Sequence, residues 1–381
     1  MRRDLAIIYS EVPSSAAATF TQNKVLAEPI KISQRNLENG QAQVLVINAG
    51  NANACTGEQG RQGAEAMVKT TAEELGIDED LVIIASTGVI GEPFPTEDIV
   101  AGIRENIAKV SREPNAGNLA ASAILTTDTY PKEGYLSFDL DNQEVNMAGI
   151  AKGSGMIHPN MATMLGFVVC DAAIEPHILR KATRRAVDKS FNMITVDGDT
   201  STNDMLAVMC NGLAHNDIIN SEGHPDYETF CEKLEEMCIH LAKLIVSDGE
   251  GSSKFVEYRI KHAPDYHTAR MLVRTISDST LVKTAMYGRD PNWGRIICAA
   301  GNAGVHFDYE KVDLALGDER QFIKLVEDGQ PVEFDRNYAK KLLRESRVFV
   351  TLDLKNGEAE AVGWGTDMTT DYVLFNSVYT T

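Results

Sequence analysis

Two stretches of the chain are apolar without alternation. Gln43–Asn48 (QVLVIN) and Leu81–Ser86 (LVIIAS) are short, rich in β-branched residues, and run into small polar residues and glycine. Such runs predict strands buried on both faces. Between them Ala64, Met67, Val68, Ala72 and Leu75 recur at helical spacing, which predicts a helix over Gln62–Leu75 stopped by Gly76. A second helix is expected over Thr96–Ser111, with Thr96 as N-cap and Glu97 and Asp98 in its first turn.

The later half continues the alternation. Pro176 and Ser190 bound a basic helix through Arg180, Lys181, Arg184 and Arg185. Asp226–Ser247 carries Phe230, Leu234, Cys238, Leu241 and Ile245 on one stripe, which reads as a core-facing helix surface. A strand opening at Met164–Val169 and an alternating strand at Arg347–Leu354 complete the clear elements. Strands and helices interleaved in this way predict an α/β (α+β) fold with mixed sheets packed against helices. With 381 residues, the chain is long enough for two domains or one body with two lobes.

Charge narrows the function. Thirty-six Lys and Arg against 55 Asp and Glu give a formal net charge of -19, with no basic run to offset it. That field repels phosphate backbones and argues against nucleic-acid binding. No apolar run approaches the roughly 18 residues of a membrane span. The opening Met1-Arg2-Arg3 is not followed by the apolar segment of a signal peptide. Six dispersed cysteines without a CxxC pair fit a reducing compartment and mostly buried thiols. The expectation is a cytoplasmic enzyme.

Four segments rich in small residues follow the expected strands: Asn48–Gly57, Ala85–Gly91, Ala151–Leu165 and Val196–Asp204. Small residues leave backbone N–H groups accessible, which suits anion or oxyanion pockets, although a tight turn is the commoner use of each one. Nucleotide-binding glycine motifs, HExxH and the G-x-S-x-G elbow are absent from the sequence, and the eight histidines do not cluster at metal-ligand spacing. Asp197-Gly198-Asp199 lacks the ligand alternation of a calcium loop and reads as a turn. No metal and no organic cofactor are expected, so chemistry would rest on hydroxyls, amides, Lys and carboxylates.

Lys152–Leu165 (KGSGMIHPNMATML) is the most informative of the four. In one chemical reading the Thr163 hydroxyl attacks the Ala162 carbonyl, an N→O acyl shift follows, and hydrolysis frees Thr163 as a new N-terminus. Its α-amine, with an ordinary pKa of about 7.7–8.0, would then be the base beside a weakly acidic nucleophile. A threonine that merely opens a buried strand fits the same spacing.

The segment KGSGMIHPNMATMLGF resembles the cleavage and nucleophile region of the glutamate N-acetyltransferase / ornithine acetyltransferase family of arginine biosynthesis. NAGNANACTG, ASTGVIGEPFP, TTDTYPK, VDGDTSTND, DGEGSSK, YGRDPNWGRI and FNSVYTT resemble further family segments, in family order across nearly the whole chain. The family commonly carries a short glycine-containing stretch ahead of RRDLAIIYSEVPSSAAATFT, which this sequence does not show.

The resemblance implies a self-cleaving, N-terminal-nucleophile-like acyltransferase of two lobes. It would be cut between Ala162 and Thr163 into an α chain, 1–162, and a β chain, 163–381, assembled as α2β2. It assigns Thr163 as nucleophile and Thr87 and Gly88 as the oxyanion hole. Thr126 (with Thr127 as the neighbouring alternative), Lys152, Thr163, Glu250, Asn376 and Thr381 would bind substrate. A cation such as Lys152 can hold an α-carboxylate, and a carboxylate such as Glu250 the side-chain ammonium of ornithine. The implied reaction is ping-pong acetyl transfer from N2-acetylornithine to glutamate, with acetyl-CoA a further co-substrate in some members. A related amidohydrolase or aminopeptidase, a secondary-metabolism acyltransferase and an uncleaved binding protein are the alternatives. Arg289–Trp293 carries no catalytic assignment.

Overall fold

The computed structural model describes residues 3–158 and 164–378. The first part of the chain forms β1 (Leu5–Phe20), α1 (Glu28–Asn36), β2 (Gln41–Asn51), α2 (Gly57–Leu75) and β3 (Val82–Val89). It continues through α3 (Thr96–Ile107), α4 (Ala116–Ala123), β4 (Lys132–Leu140) and β5 (Gln143–Lys152). The middle contains β6 (Leu165–Cys170), α5 (Pro176–Lys189), β7 (Ile194–Thr195), β8 (Met205–Cys210) and α6 (Tyr227–Ser247). Then follow β9 (Phe255–Ala263), α7 (Tyr266–Asp278), α8 (Thr280–Tyr287) and α9 (Trp293–Gly301). The last part comprises β10 (Asp313–Gly317), β11 (Phe322–Glu327), β12 (Gln330–Pro331), α10 (Arg336–Leu342), β13 (Arg347–Asp353), β14 (Ala359–Thr366) and α11 (Thr370–Val378).

Among the described residues the strands make two seven-stranded mixed sheets, ordered β3-β2-β1-β8-β6-β5-β4 and β12-β11-β10-β13-β9-β14-β7. The architecture is α/β, with helices packed on both sheets. β2 and β3 are parallel, and their unbroken apolar runs are explained by burial on both faces. Val44, Val46, Val82 and Ile84 pack with Met67 and Val68 of α2, while Leu45, Ile47, Ile83 and Ala85 face a second cluster on the other side.

The first sheet joins the two segments on either side of position 162. β6 lies antiparallel to β5, with Leu165 opposite Lys152, and β8 is inserted between β1 and β6. Segments 1–162 and 163–381 therefore share one hydrogen-bonded sheet rather than forming separate bodies. The stripe expected on α6 is buried throughout, and it joins a core that includes residues of both sheets. Gly134 and Gly149 face each other across the β4–β5 ladder, and a Cβ on either would meet Met237 Sδ at 2.6 and 3.0 Å. Glycine at this pair lets α6 lie directly on the sheet.

The helix limits differ from expectation at two places. α2 begins at Gly57, five residues before Gln62, and ends as expected at Gly76, which is left-handed (φ 66). α3 stops at Ile107 rather than Ser111, and Thr96 is its first helical residue, with Pro95 at the cap and no side-chain cap hydrogen bond. The strand expected from Met164 begins at Leu165. Four cysteines are buried, but Cys55 and Cys298 are exposed.

Candidate active site

One cavity opens where the ends of β2, β3, β5 and α11, the start of β6, and the loops after β5, before β8 and after α6 converge. Thr87, Gly88, Thr126, Lys152, Glu250 and Asn376 all line it, and so does Thr127. These residues are widely separated in the chain, and the structure gathers them. Ala162, Thr163 and Thr381 lie outside the described residues; Met164 lines the same cavity.

β3 runs past Ser86, where the sequence predicted its end, to Val89, so Thr87 and Gly88 sit in the strand's last residues, paired with Ala49 and Gly50, and this end is held by amides. Ser86 Oγ donates to Asn48 Oδ1 at 2.5 Å, and Asn48 Nδ2 donates to the Asn51 carbonyl at 2.9 Å. Asn203 Nδ2 donates to the carbonyls of Ala52 (2.5 Å) and Ser86 (2.9 Å). Thus two of the small-residue segments, Asn48–Gly57 and Val196–Asp204, fix the backbone on which Thr87 and Gly88 sit. Gly88 has φ 133, and a Cβ there would stand 2.2 Å from the Gly50 carbonyl carbon. Only glycine fits so close a backbone approach.

Lys152 ends β5 with its side chain almost wholly buried. Its Nζ donates to Thr126 Oγ1 at 2.7 Å and to Thr87 Oγ1 at 3.2 Å. Behind it stands Asp128, with Oδ2 3.8 Å from the ammonium. Asp128 also accepts from Gly153 N–H (2.6 Å), Thr126 N–H (3.1 Å) and Lys132 Nζ (2.7 Å). Lys132 donates in turn to Asp248 Oδ2 at 2.7 Å. Charges alternate along Lys152, Asp128, Lys132 and Asp248, so each buried ion has an opposite neighbour. Burial opposes the Asp128 charge, but Lys152 and Lys132 outweigh it and bring the carboxyl down to about 2. Burial pulls the Lys152 ammonium below the usual lysine range, with Asp128 pulling the other way.

Carboxylates line the rest of the cavity. Glu250 follows the C-terminus of α6; its N–H donates to the Ser154 carbonyl at 3.0 Å, and its Oε2 accepts from Asn376 Nδ2 at 3.2 Å. A Cβ on Gly155 would fall 2.3 Å from the Glu250 carboxyl carbon, so glycine makes room for that side chain. Asp197 accepts from Met156 N–H (2.7 Å), Ile157 N–H (2.8 Å) and Tyr372 Oη (3.3 Å), which ties the loop after β5 to α11. Burial raises the Asp197 carboxyl against those backbone donors. Among the described residues no cluster of three His, Cys, Asp or Glu could hold a metal ion.

Sequence reasoning did not single out Asp128, Lys132, Asn203, Asp204, Asp248 or Tyr372, and it read Asp197 only as part of a turn. Most lie inside quoted segments, TTDTYPK, VDGDTSTND and DGEGSSK. A threonine-bound carboxylate near a lysine four positions on was the available signal for Asp128 and Lys132. Nothing in the sequence places Tyr372 beside Asp197. Chemically, the cavity offers one buried cation, two hydroxyls bound to it, a glycine-constrained strand end and several carboxylates. It suits a zwitterionic ligand that carries an additional cationic group.

A model of the ArgJ family matches residues 1–381. The arginine biosynthesis bifunctional protein ArgJ of Symbiobacterium thermophilum is 49% identical over 380 residues, covering 100% of this chain and 93% of its own. The protein of the same name from Caldanaerobacter subterraneus subsp. tengcongensis is 45% identical over 380 residues, 100% and 94% of the two chains. In structure, the chain is similar to the crystal structure of the ArgJ bifunctional protein of Bacillus halodurans. That match has a TM-score of 0.53 at 41% identity and covers 56% of this chain and 98% of that one.

Proposed function

This chain belongs to the ArgJ family of arginine biosynthesis, and from that premise we propose that it transfers the acetyl group of N2-acetylornithine to glutamate through an acetyl-Thr163 intermediate. The enzyme is a glutamate N-acetyltransferase of the ornithine acetyltransferase type. Cleavage between Ala162 and Thr163 frees the Thr163 α-amine, which takes the hydroxyl proton as Oγ attacks the acetyl carbonyl. The N–H groups of Thr87 and Gly88 at the end of β3, with the Thr87 hydroxyl, meet the developing oxyanion; one such donor is typically worth about 100-fold or more in rate. Ornithine leaves, and the α-amine of glutamate takes the acetyl group.

Lys152 holds the substrate α-carboxylate, and Glu250 holds the δ-ammonium of ornithine, oriented by Asn376; Thr126 completes the contacts. Ala162, Thr163 and Thr381 enter from the resemblance alone. The 1–162 and 163–381 chains remain joined through the β5–β6 and β1–β8 ladders and assemble as α2β2 in the cytoplasm. The observation that carries the reading is the convergence of Thr87, Gly88, Thr126, Lys152, Glu250 and Asn376 on one cavity.

The test is N-acetylglutamate formation from N2-acetylornithine and glutamate, with acetyl-CoA as an alternative donor in a parallel tube. Wild type should form the product and Thr163→Ala should not. An active, uncleaved Thr163→Ala protein contradicts the assignment, and free acetate as the main product would make the enzyme a hydrolase.

A further inference from the structure

Once the hydrogen bonds around the cavity are assigned, one buried carboxyl oxygen is left over. Asp204 is 2% exposed, lines the cavity, and has an Oδ2 with no hydrogen-bond partner among the described residues. Its place is set by backbone pairing. β6 and β8 are parallel with Leu165 level with Met205, and Met205 N–H donates to the Met164 carbonyl at 2.9 Å. Thr21 N–H, just past β1, donates to the Asp204 carbonyl at 3.0 Å. Lys152 stands opposite Leu165 on the other neighbour of β6. Asp204 and Lys152 thus flank the start of the strand that follows Thr163.

A buried carboxyl with a free oxygen is costly, and more so when ionised. Burial pushes Asp204 well above the usual carboxylate range, against the opposing pull of Ser201, Lys152 and Thr21. The charged groups that line the cavity with it are Lys152 on β5, Asp197 and Asp199 in the loop before β8, and Glu250 after α6, and of these Lys152 acts on its charge. Thr21, just past β1, and Met164, just before β6, are its neighbours on the flanking strands, and neither is charged.

Acetyl transfer between two amines has a proton requirement that such a group meets. The amide nitrogen of N2-acetylornithine carries one hydrogen, and ornithine leaves as an α-ammonium with three. One of the two added protons is that of the Thr163 hydroxyl, relayed through the α-amine. The second needs another carrier. We propose that Asp204 is that carrier: it donates a proton to the ornithine α-nitrogen as the C–N bond breaks, and recovers one from the glutamate α-ammonium before that nitrogen attacks acetyl-Thr163. When the ester C–O bond breaks, the last proton released by the new amide nitrogen returns to Thr163 Oγ. Both protons are regained, and the cycle closes without solvent. This role rests on the acetyl-Thr163 reading above.

The experiment is steady-state transfer from N2-acetylornithine to glutamate across pH, with wild type, Asp204→Asn and Ser201→Ala. Transfer by wild type is measured first, because its absence overturns the underlying reading rather than the role of Asp204. With wild type active, cleaved Asp204→Asn should lose about 100-fold or more in kcat with KM nearly unchanged, as expected for a lost acid–base. The alkaline fall of kcat/KM for N2-acetylornithine should disappear with it. A kcat within about threefold of wild type, well inside the usual general-acid contribution, overturns the proposal. Ser201→Ala removes a group that favours the ionised carboxyl, so the alkaline limb should move to higher pH. An unmoved limb overturns the proposal even if Asp204→Asn fails to fold.

Discussion

Asp128 accepts a hydrogen bond from Lys132 at 2.7 Å, and neither side chain reaches solvent. The contact sits midway along the alternating chain of charges that ends at Lys152 in the cavity. Asp128 has its native carboxyl at about 2, below the ordinary value of about 3.9. The group therefore contributes stability that is fully present above the unfolded value and lost as pH falls through the native one. The expected increment is about 2 kcal/mol. Urea unfolding should show wild type losing about that much more than Asp128→Asn between pH ~5 and pH ~2. Parallel acid slopes would contradict the pairing.

Lys132→Met should be more damaging than either pH or salt. It leaves Asp128 and Asp248 buried without the ammonium that both accept from. Breaking such a buried pair typically costs about 3–5 kcal/mol. Chemical denaturation at neutral pH checks this, and a loss below about 1 kcal/mol, the size of an exposed pair, would show that the chain of charges is not coupled.

Gly88→Ala should separate catalysis from folding. The added methyl group meets the Gly50 carbonyl carbon at a positive φ, so the end of β3 must shift. Strain of this kind costs on the order of 1–3 kcal/mol, whereas displacing an oxyanion donor costs about 100-fold or more in kcat. Thermal melting and transfer kinetics on the same sample test the two together. Full activity would remove the Thr87–Gly88 backbone from the mechanism.

Lys283 gives a pH dependence of the same sign at the alkaline end. Burial lowers its ammonium to about 8, against the pull of Asp278, Asp197 and Asp367, and it donates to the Thr366 carbonyl at 2.9 Å. Between that value and the unfolded value of about 10.4 the unfolded chain binds more protons, so stability rises with pH. Wild type should therefore gain stability relative to Lys283→Met across that window. A difference that stays flat would mean that burial does not lower the Lys283 ammonium in the fold.

The strands and helices legible in the sequence are those with a simple burial pattern. β2 and β3 are apolar on both faces, and α6 buries one clean stripe. β1 was obscured because Ser10, Glu11 and Pro13 interrupt its apolar run. The structure absorbs them in a register irregularity between Tyr9 and Ser14, and the strand continues to Phe20. β4 alternates exposed polar with buried positions and leaves only a weak signal.

The cavity divides in the same way. Thr87, Gly88 and Lys152 stood in small-residue segments that a pocket needs, so those segments could be marked before their neighbours were known, whereas Glu250 entered only through the family resemblance of DGEGSSK. The ion pair of Lys132 with Asp248 spans 116 positions, and the contact between Tyr372 and Asp197 spans 175. Pairs so distant have no periodicity, and only the fold brings them together.

The central claim concerns Thr163, and intact-mass measurement tests it most directly. Freshly purified protein is exposed briefly to N2-acetylornithine without glutamate, then both chains are weighed and the second is sequenced from its N-terminus. The account predicts two chains, the second beginning Thr163-Met164-Leu165 and heavier by one acetyl group. A single uncut chain, or a cut protein that never carries the acetyl group on Thr163, would contradict it.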